Sequence, residues 1–240
     1  MKLSIIIPVY NEEKTIGKVI DSVYSVNFDD LGLRREIIVV DDGSEDNTFA
    51  EIKKATAGKK DVKVIFQAKN QGKGSAVAAG ISEASGDYTI IQDADFEYDP
   101  RQIRDLILPV LNGQAKVVYG TRLNRLPHLD KEEKRIRFLF HYFGNRFLSL
   151  LTSVLYGAWL TDMETCYKLF PTKVGKSFKL KSKRFDFEPE ITTKLLKAGY
   201  KILELPITTK PRGYEEGKKL RTFRDGTIAL WTLLKYRFID

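Results

Sequence analysis

Apolar residues in the first half of the chain come in short unbroken runs, separated by stretches in which they recur every three or four positions. Lys2 to Val9 is nearly continuous in aliphatic residues and gives way at Asn11, as a strand buried on both faces of a parallel sheet does. Ile16, Val19, Ile20, Val23 and Tyr24 then mark one stripe of an amphipathic helix. The alternation continues. Glu36 to Val40 and Val62 to Gln67 read as strands, with a helix from about Asn47 to Ala57 between them. An Ala-rich helix ending near Gly86 leads to a strand over Tyr88 to Gln92. A further helix opens at Pro100, proline being favoured at the first helical position, and Val117 to Gly120 forms a fifth strand. Strands alternating with helices through short loops predict an α/β fold with a mostly parallel, Rossmann-like sheet flanked by helices.

The second half has another texture. From Arg135 to Leu160 the chain is strongly apolar and carries no acidic residue, but Arg137, His141, Asn145 and Arg146 interrupt it. It therefore lacks the roughly 20 consecutive apolar residues of a membrane span. Two readings remain: a core helix, or an amphipathic helix lying in a membrane interface. Glu188-Pro189-Glu190 starts another helix, Tyr200 to Thr208 reads as a strand, and Thr222 to Phe238 is a last helix with Trp231, Leu234 and Phe238 among basic residues. There is no internal repeat and no low-complexity linker, so residues 1–240 are expected to form a single domain with an amphipathic, helical C-terminal region.

Composition adds two constraints. With 42% hydrophobic residues and one cysteine, Cys166, the chain is an ordered protein without an intramolecular disulfide. The first apolar run is too short for a secretion signal, which leads to the expectation of a cytoplasmic protein. Charge is divided unevenly. Residues 1–120 hold 15 Lys+Arg and 19 Asp+Glu, a balance of −4, whereas residues 121–240 hold 25 and 13, a balance of +12. The basic half is either a solvated face or the seat of an anionic partner: nucleic acid, a membrane surface or phosphate groups. Lys176, Lys179, Lys181, Lys183 and Arg184 present the same choice on a smaller scale, between a plain solvated face and a membrane-facing cluster.

In open parallel sheets, ligands bind beyond the carboxyl ends of the strands. Those positions here are acidic: Glu12 and Glu13 after the first strand, Asp41 and Asp42 after the second, and Asp93, Asp95 and Glu97 after the fourth. Carboxylates gathered on one edge repel unless a cation sits among them. A hard divalent ion, Mg²⁺ or Mn²⁺, prefers oxygen ligands and binds through one or two carboxylates plus substrate phosphates. In an extended segment Asp93 and Asp95 project to the same side and Ala94 to the other. The plain alternative is an Asp-rich turn before the helix at Pro100, which Asp99 can cap unaided. The Gln71-Gly72-Lys73-Gly74-Ser75 loop matches neither phosphate-binding pattern, having Gln67 where one needs glycine and Val77 where the other does. Its glycines still permit close backbone approach, and Lys73 can meet a phosphate or a carboxylate. His128 and His141 have no second ligand at metal spacing and are expected to be structural or surface residues.

In their order, Ser4 to Glu12, Ile38 to Ser44, Asn70 to Gly74 and Asp93-Ala94-Asp95 resemble the family 2 glycosyltransferases of GT-A fold. Tyr119-Gly120-Thr121-Arg122, Thr161 to Thr165, Phe187 to Glu190 and Arg212 to Lys219 are similar more narrowly to the polyprenyl-phosphate sugar transferases, among them dolichyl-phosphate mannose synthase. The resemblance spans nearly the whole chain and implies roles. Pro8, Tyr10, Glu12 and Asp42 match positions that hold the base and ribose of a nucleotide sugar, and Lys73 is taken with them. Asp93 matches the first aspartate near the ribose and diphosphate, and Asp95 the metal ligand proper. Glu97 stands where mannose synthases often carry glutamine, so the implied metal set is Asp95, Glu97 and Asp93. Arg122 and Arg212, with Lys218, match the residues expected to hold an acceptor phosphate. Asp162 matches the general base of relatives that use hydroxyl acceptors, and Cys166 stands where relatives often have glycine.

These expectations combine into an inverting, metal-dependent transfer of a mannose- or glucose-type hexose from a GDP- or UDP-sugar to a polyprenyl or dolichyl phosphate. The catalytic set is Asp95, Arg122, Asp162 and Arg212, with an acidic donor half over 1–120 and a basic acceptor half over 121–240. The enzyme is expected to lie peripherally on the inner face of the membrane, with a possible membrane-protein partner and no nucleic acid. A second reading keeps the donor half and gives Asp162 a saccharide or lipid hydroxyl to deprotonate. A third is a non-catalytic basic binding protein on this fold, which the acidic sheet edge disfavours.

Overall fold

The computed structural model describes residues 1–123, 136–210 and 222–239. Its elements are β1 (Lys2–Val9), α1 (Ile16–Ser25), β2 (Arg34–Asp41), α2 (Thr48–Thr56), β3 (Val62–Phe66), α3 (Lys73–Glu83), β4 (Tyr88–Ile91), α4 (Ile103–Leu111), β5 (Val117–Thr121), α5 (Ile136–Tyr156), β6 (Lys168–Pro171), α6 (Thr172–Ser177), α7 (Phe187–Lys197), β7 (Ile202–Pro206) and α8 (Thr222–Phe238). The seven strands form one sheet in the order β3-β2-β1-β4-β6-β5-β7. All pairings are parallel except the two that β6 makes.

β1 is the centre of the core. Ile5, Ile6 and Ile7 are completely buried between layers of helices, and each such side chain is worth ~1.5–3 kcal/mol relative to exposure. Register then decides what reaches the sheet edge. Val9 lies opposite Asp41, and the Asp42 amide donates to the Val9 carbonyl at 2.8 Å. Ile6 lies opposite Ile91, and the Gln92 amide continues the ladder to the Ile6 carbonyl. The ends of β1, β2 and β4 therefore deliver their acidic residues to one edge, as the alternating pattern predicts.

The strand that the pattern does not predict matters most for the site. β6 runs antiparallel between β4 and β5, with Leu169 opposite both Ile90 and Val118. Because it is reversed, its beginning lies at the edge where its neighbours end, and the segment 161–167 that feeds it is brought into the site. Four residues starting with lysine and ending with proline give no readable alternation, and six-residue α6 is equally short. At Pro100 the structure has a single 3₁₀ turn before α4. Asp99 accepts from the Arg101 amide at 3.0 Å and so caps that turn.

α5 is neither wholly core nor wholly surface. Tyr142, Leu148, Ser149 and Thr152 are buried, whereas Phe143, Phe147, Leu150 and Val154 form an exposed stripe on the other side. Leu148, Met163, Ala229 and Leu233 make a small second core where α5 meets α8. No helix among the described residues is long and apolar enough to cross a membrane.

Candidate active site

The glycine loop is bound from two sides. Asp42 is buried and accepts from the amides of Gln71 at 2.8 Å and Gly72 at 2.7 Å. Burial raises its pKa, and these two bonds offset part of the rise. Gly72 adopts φ +99°, and a Cβ there would stand 2.3 Å from the Lys183 carbonyl oxygen. The first amides of α3 are also occupied: Gly74 donates to the Arg184 carbonyl at 3.1 Å and Ser75 to that of Lys183 at 3.2 Å. The Gly74 and Ser75 amides are consequently spent on a backbone joint with the 183–184 segment rather than left for a phosphate.

Lys73 leaves that joint and lies between two carboxylates, 2.8 Å from Asp93 and 2.9 Å from Glu188. Burial pulls its pKa down, but the two acids outweigh that and hold it well above the ordinary lysine value. The segment after β4 is pinned as well. The Thr15 hydroxyl lies 3.0 Å from the Ala94 carbonyl oxygen and 2.7 Å from the Glu12 carboxylate, with one proton to share between them, and the Gln92 amide group donates to the carbonyls of Asp93 and Tyr98. Asp95 accepts from the Glu97 amide at 3.0 Å. Pro8 is buried opposite Val40 in β1, and Tyr10 is half-buried just beyond the strand.

Arg122, directly after β5, is held by Asp162. Its Nε lies 2.7 Å from Asp162 Oδ2, its Nη2 2.8 Å from Oδ1, and its backbone amide 2.9 Å from Oδ2. Asp162 has no solvent exposure, and its own amide donates to Glu204 in β7 at 2.9 Å. This is a two-pronged guanidinium–carboxylate pair that lysine cannot reproduce. The guanidinium lies 5.9 Å from the centroid of the Tyr98 ring, whose hydroxyl accepts from the Cys166 amide. Arg122 keeps three of its five side-chain N–H groups free of partners among the described residues.

Between these two clusters lies a third, made of Glu164, Lys168 and Glu188. Lys168 is fully buried, donates to the Met163 carbonyl at 2.6 Å and stands 4.1 Å from the Tyr119 ring centroid. Burial lowers its pKa to about 8. Burial, then the charge of Glu188, push the Glu164 carboxyl up to about 8, so it is neutral at pH 7. Glu164 Oε1 and Glu188 Oε2 are both sealed from solvent and have no hydrogen-bond partner. Burial and the Asp93 charge push the Cys166 thiol well above its usual value, which keeps it protonated and unreactive.

The structure thus brings Lys73 to Asp93 and Arg122 to Asp162, and sets Asp95 and Glu97 side by side in sequence. Arg212 and Lys218 lie outside the described residues. No group of three or more His, Cys, Asp or Glu residues poised around one metal position occurs among the described residues, so the expected set of Asp93, Asp95 and Glu97 is not gathered around one point, and Asp93 is instead paired with Lys73. Asp95 and Glu97 suit a hard ion that takes its remaining ligands from a diphosphate. The sequence pattern assigns no role to Glu204 or Tyr98, and Glu188 stands in it only within Phe187 to Glu190. An acid within a β-strand of otherwise apolar residues was the available signal for Glu204.

The profile of Glycosyl transferase family 2 matches residues 4–173. The chain belongs to glycosyltransferase family 2. It is 32% identical over 222 residues to the UDP-N-acetylglucosamine–dolichyl-phosphate N-acetylglucosaminyltransferase of Methanococcus voltae, covering 85% of this chain and 84% of that one. It is 38% identical over 122 residues to the dolichol-phosphate mannosyltransferase of Pyrococcus furiosus, covering 51% of this chain and 33% of the other. Among solved structures, glucosyl-3-phosphoglycerate synthase of Mycobacterium tuberculosis in complex with Mn²⁺, UDP and glucosyl-3-phosphoglycerate aligns with a TM-score of 0.73 at 19% identity, over 100% of this chain and 81% of that one. That likeness establishes a shared glycosyltransferase fold. As a family 2 glycosyltransferase the protein is an enzyme, and the acidic sheet edge and the arginine beside it are its candidate donor and acceptor sides.

Proposed function

We propose that this glycosyltransferase moves a hexosyl group, with inversion, from a nucleotide sugar to a polyprenyl phosphate of the dolichyl type. The observation that carries the choice of acceptor is the Arg122–Asp162 pair. Both Asp162 oxygens accept from Arg122 and the carboxylate is sealed from solvent, which is poor placement for a base that must meet an incoming hydroxyl. The same pair suits a phosphate acceptor. Such an acceptor is already anionic at neutral pH and needs positioning by cations rather than deprotonation. Asp162 then orients the guanidinium, whose remaining N–H groups face the anion. The names of the two dolichyl-phosphate relatives support the same acceptor class.

On the donor side, Asp95 and Glu97 would hold Mg²⁺ or Mn²⁺ together with the diphosphate, and a bound ion of this kind supplies Lewis-acid stabilisation of the departing charge. The chain's own share is structural. Asp42 and Thr15 fix the glycine loop and the Ala94 carbonyl, while Lys73 anchors Asp93 and adds positive charge beneath the leaving group. The membrane supplies the lipid. Phe143, Phe147, Leu150 and Val154 on α5, Trp159 just after it, and Trp231 and Phe238 on α8 are all exposed, a set suited to lying in a bilayer interface on the cytoplasmic face.

Two substitutions test this assignment. Asp95→Ala is expected to abolish turnover while leaving the fold intact. Asp162→Asn is expected to act through Arg122, raising KM for the lipid phosphate more than it lowers kcat. A fall in kcat of about 10²–10⁴ with KM unchanged would mark Asp162 as a general base and move the acceptor to a hydroxyl.

A further inference from the structure

The loop between α6 and α7 carries the basic run of the sequence, and its backbone is unusually well fixed. The Lys181 amide donates to both Glu190 oxygens at 3.0 Å, and the Ser182 amide to Glu190 Oε2 at 2.7 Å. Glu190 is itself fully buried and bonded to the Tyr236 hydroxyl of α8 at 2.8 Å and to Lys194 at 2.9 Å. The Arg184 amide donates to Asp186, and the carbonyls of Lys183 and Arg184 cap α3. With its main chain tied to α3, α7 and α8, the loop presents Lys181, Lys183 and Arg184 to solvent from a rigid base.

These three side chains and Lys69 line one cleft of about 650 Å³, whose wall on the α8 side is Ile228. Asp186 is the acid in the lining, and its carboxylate is engaged by the Arg184 amide. None of the four cations makes an ion pair or a side-chain hydrogen bond among the described residues. Several other surface cations are paired, Lys2 with Glu36, Lys59 with Asp21, Arg101 with Asp99 and Arg104 with Asp30; what sets these four apart is that they gather around one cleft. Four cations against the single carboxylate of Asp186 leave the cleft net positive, and with fixed backbone beneath them they are an electrostatic seat for a phosphate monoanion or diester. The position of the cleft indicates the source of that phosphate. Ile228, Trp231, Lys235 and Phe238 recur three and four residues apart, so the cleft opens onto the stripe of α8 that exposes Trp231 and Phe238.

We infer that this cleft binds the phosphate of an anionic phospholipid headgroup, fixing the enzyme on acidic membrane while the aromatic stripe of α8 enters the interface. The inference rests on the membrane-surface placement proposed above. It adds a second anion site, separate from Arg122, whose task is docking and orientation.

The test is partition of the full chain onto vesicles of phosphatidylcholine alone and onto vesicles that also contain phosphatidylglycerol. The wild type is expected to prefer the acidic vesicles. The pair Lys181→Gln and Lys183→Gln should lose about fivefold in partition per lysine, or about 25-fold together. Lys53→Gln with Lys54→Gln, the same charge change on α2, should retain wild-type partition. Equal partition of the 181/183 pair and the wild type, or equal losses in both pairs, would overturn the inference. Calorimetric binding of inorganic phosphate that the 181/183 pair loses, with no vesicle preference in the wild type, would also overturn it by making the cleft a site for soluble anions. Transfer to a short-chain, water-soluble polyprenyl phosphate separates this result from the proposed reaction. It should be unchanged in the 181/183 pair, and its absence from every variant including the wild type would remove the reaction while the vesicle comparison still decides the cleft.

Discussion

Glu164 and Glu188 each bury an oxygen without a partner, and such groups are costly when charged. The consequence can be measured through Glu164. Its carboxyl releases a proton near 4.5 in the unfolded chain and near 8 in the folded one. Between those values the folded chain holds more protons than the unfolded chain, so this group makes stability fall as pH rises from about 4.5 to about 8. Below that window it has no effect. Glu164→Gln removes the penalty, and its melting temperature should exceed that of the wild type by a margin that widens from pH 5 to pH 8. Thermal melts at several pH values check this, and a constant margin would contradict a neutral Glu164. Site residues were unequally legible. The acids after β1, β2 and β4 could be read from position alone. That Asp42 would be spent on the Gln71 and Gly72 amides, or Lys73 on two carboxylates, depends on long-range packing that no local pattern contains.

At the scale of elements, the helices α5 and α8 each divide into a buried and an exposed apolar face, and the distinction has an energetic meaning. Exposed Phe147 and Trp231 contribute little to the folded state, since surface substitutions usually change stability by within ~0.5 kcal/mol. Phe147→Ser combined with Trp231→Ser should therefore leave the melting temperature nearly unchanged while lowering vesicle-bound enzyme and activity toward membrane-embedded lipid phosphate. A cooperative loss of stability in the double variant would show that these faces are covered by the protein itself. The long periodic elements were legible: the last helix, Thr222–Phe238, spans the residues its pattern marks, and the parallel strands agree to within a few residues. β6 was not. Its four residues are fixed by pairing with β4 and β5, partners distant in sequence, and with it was lost the route by which Asp162 and Glu164 enter the site.

Across the whole molecule, the uneven charge of the sequence acquires a spatial sense. The acidic half supplies a sheet edge suited to a metal-bound diphosphate. The basic half supplies Arg122, the loop at 181–184 and the cations of α8 around the face assigned to lipid. Glycosyl transfer to an anion is then mainly electrostatic positioning, with charge of one sign gathered on the leaving side and of the other on the attacking side. The most direct measurement is release of UDP or GDP from a panel of nucleotide sugars, with and without Mg²⁺ or Mn²⁺ and with and without a polyprenyl phosphate, followed by identification of the lipid product. Release is expected to require both the metal and the lipid phosphate and to yield a glycosylated polyprenyl phosphate. Release unaffected by the lipid phosphate but stimulated by a saccharide or lipid alcohol would contradict that expectation.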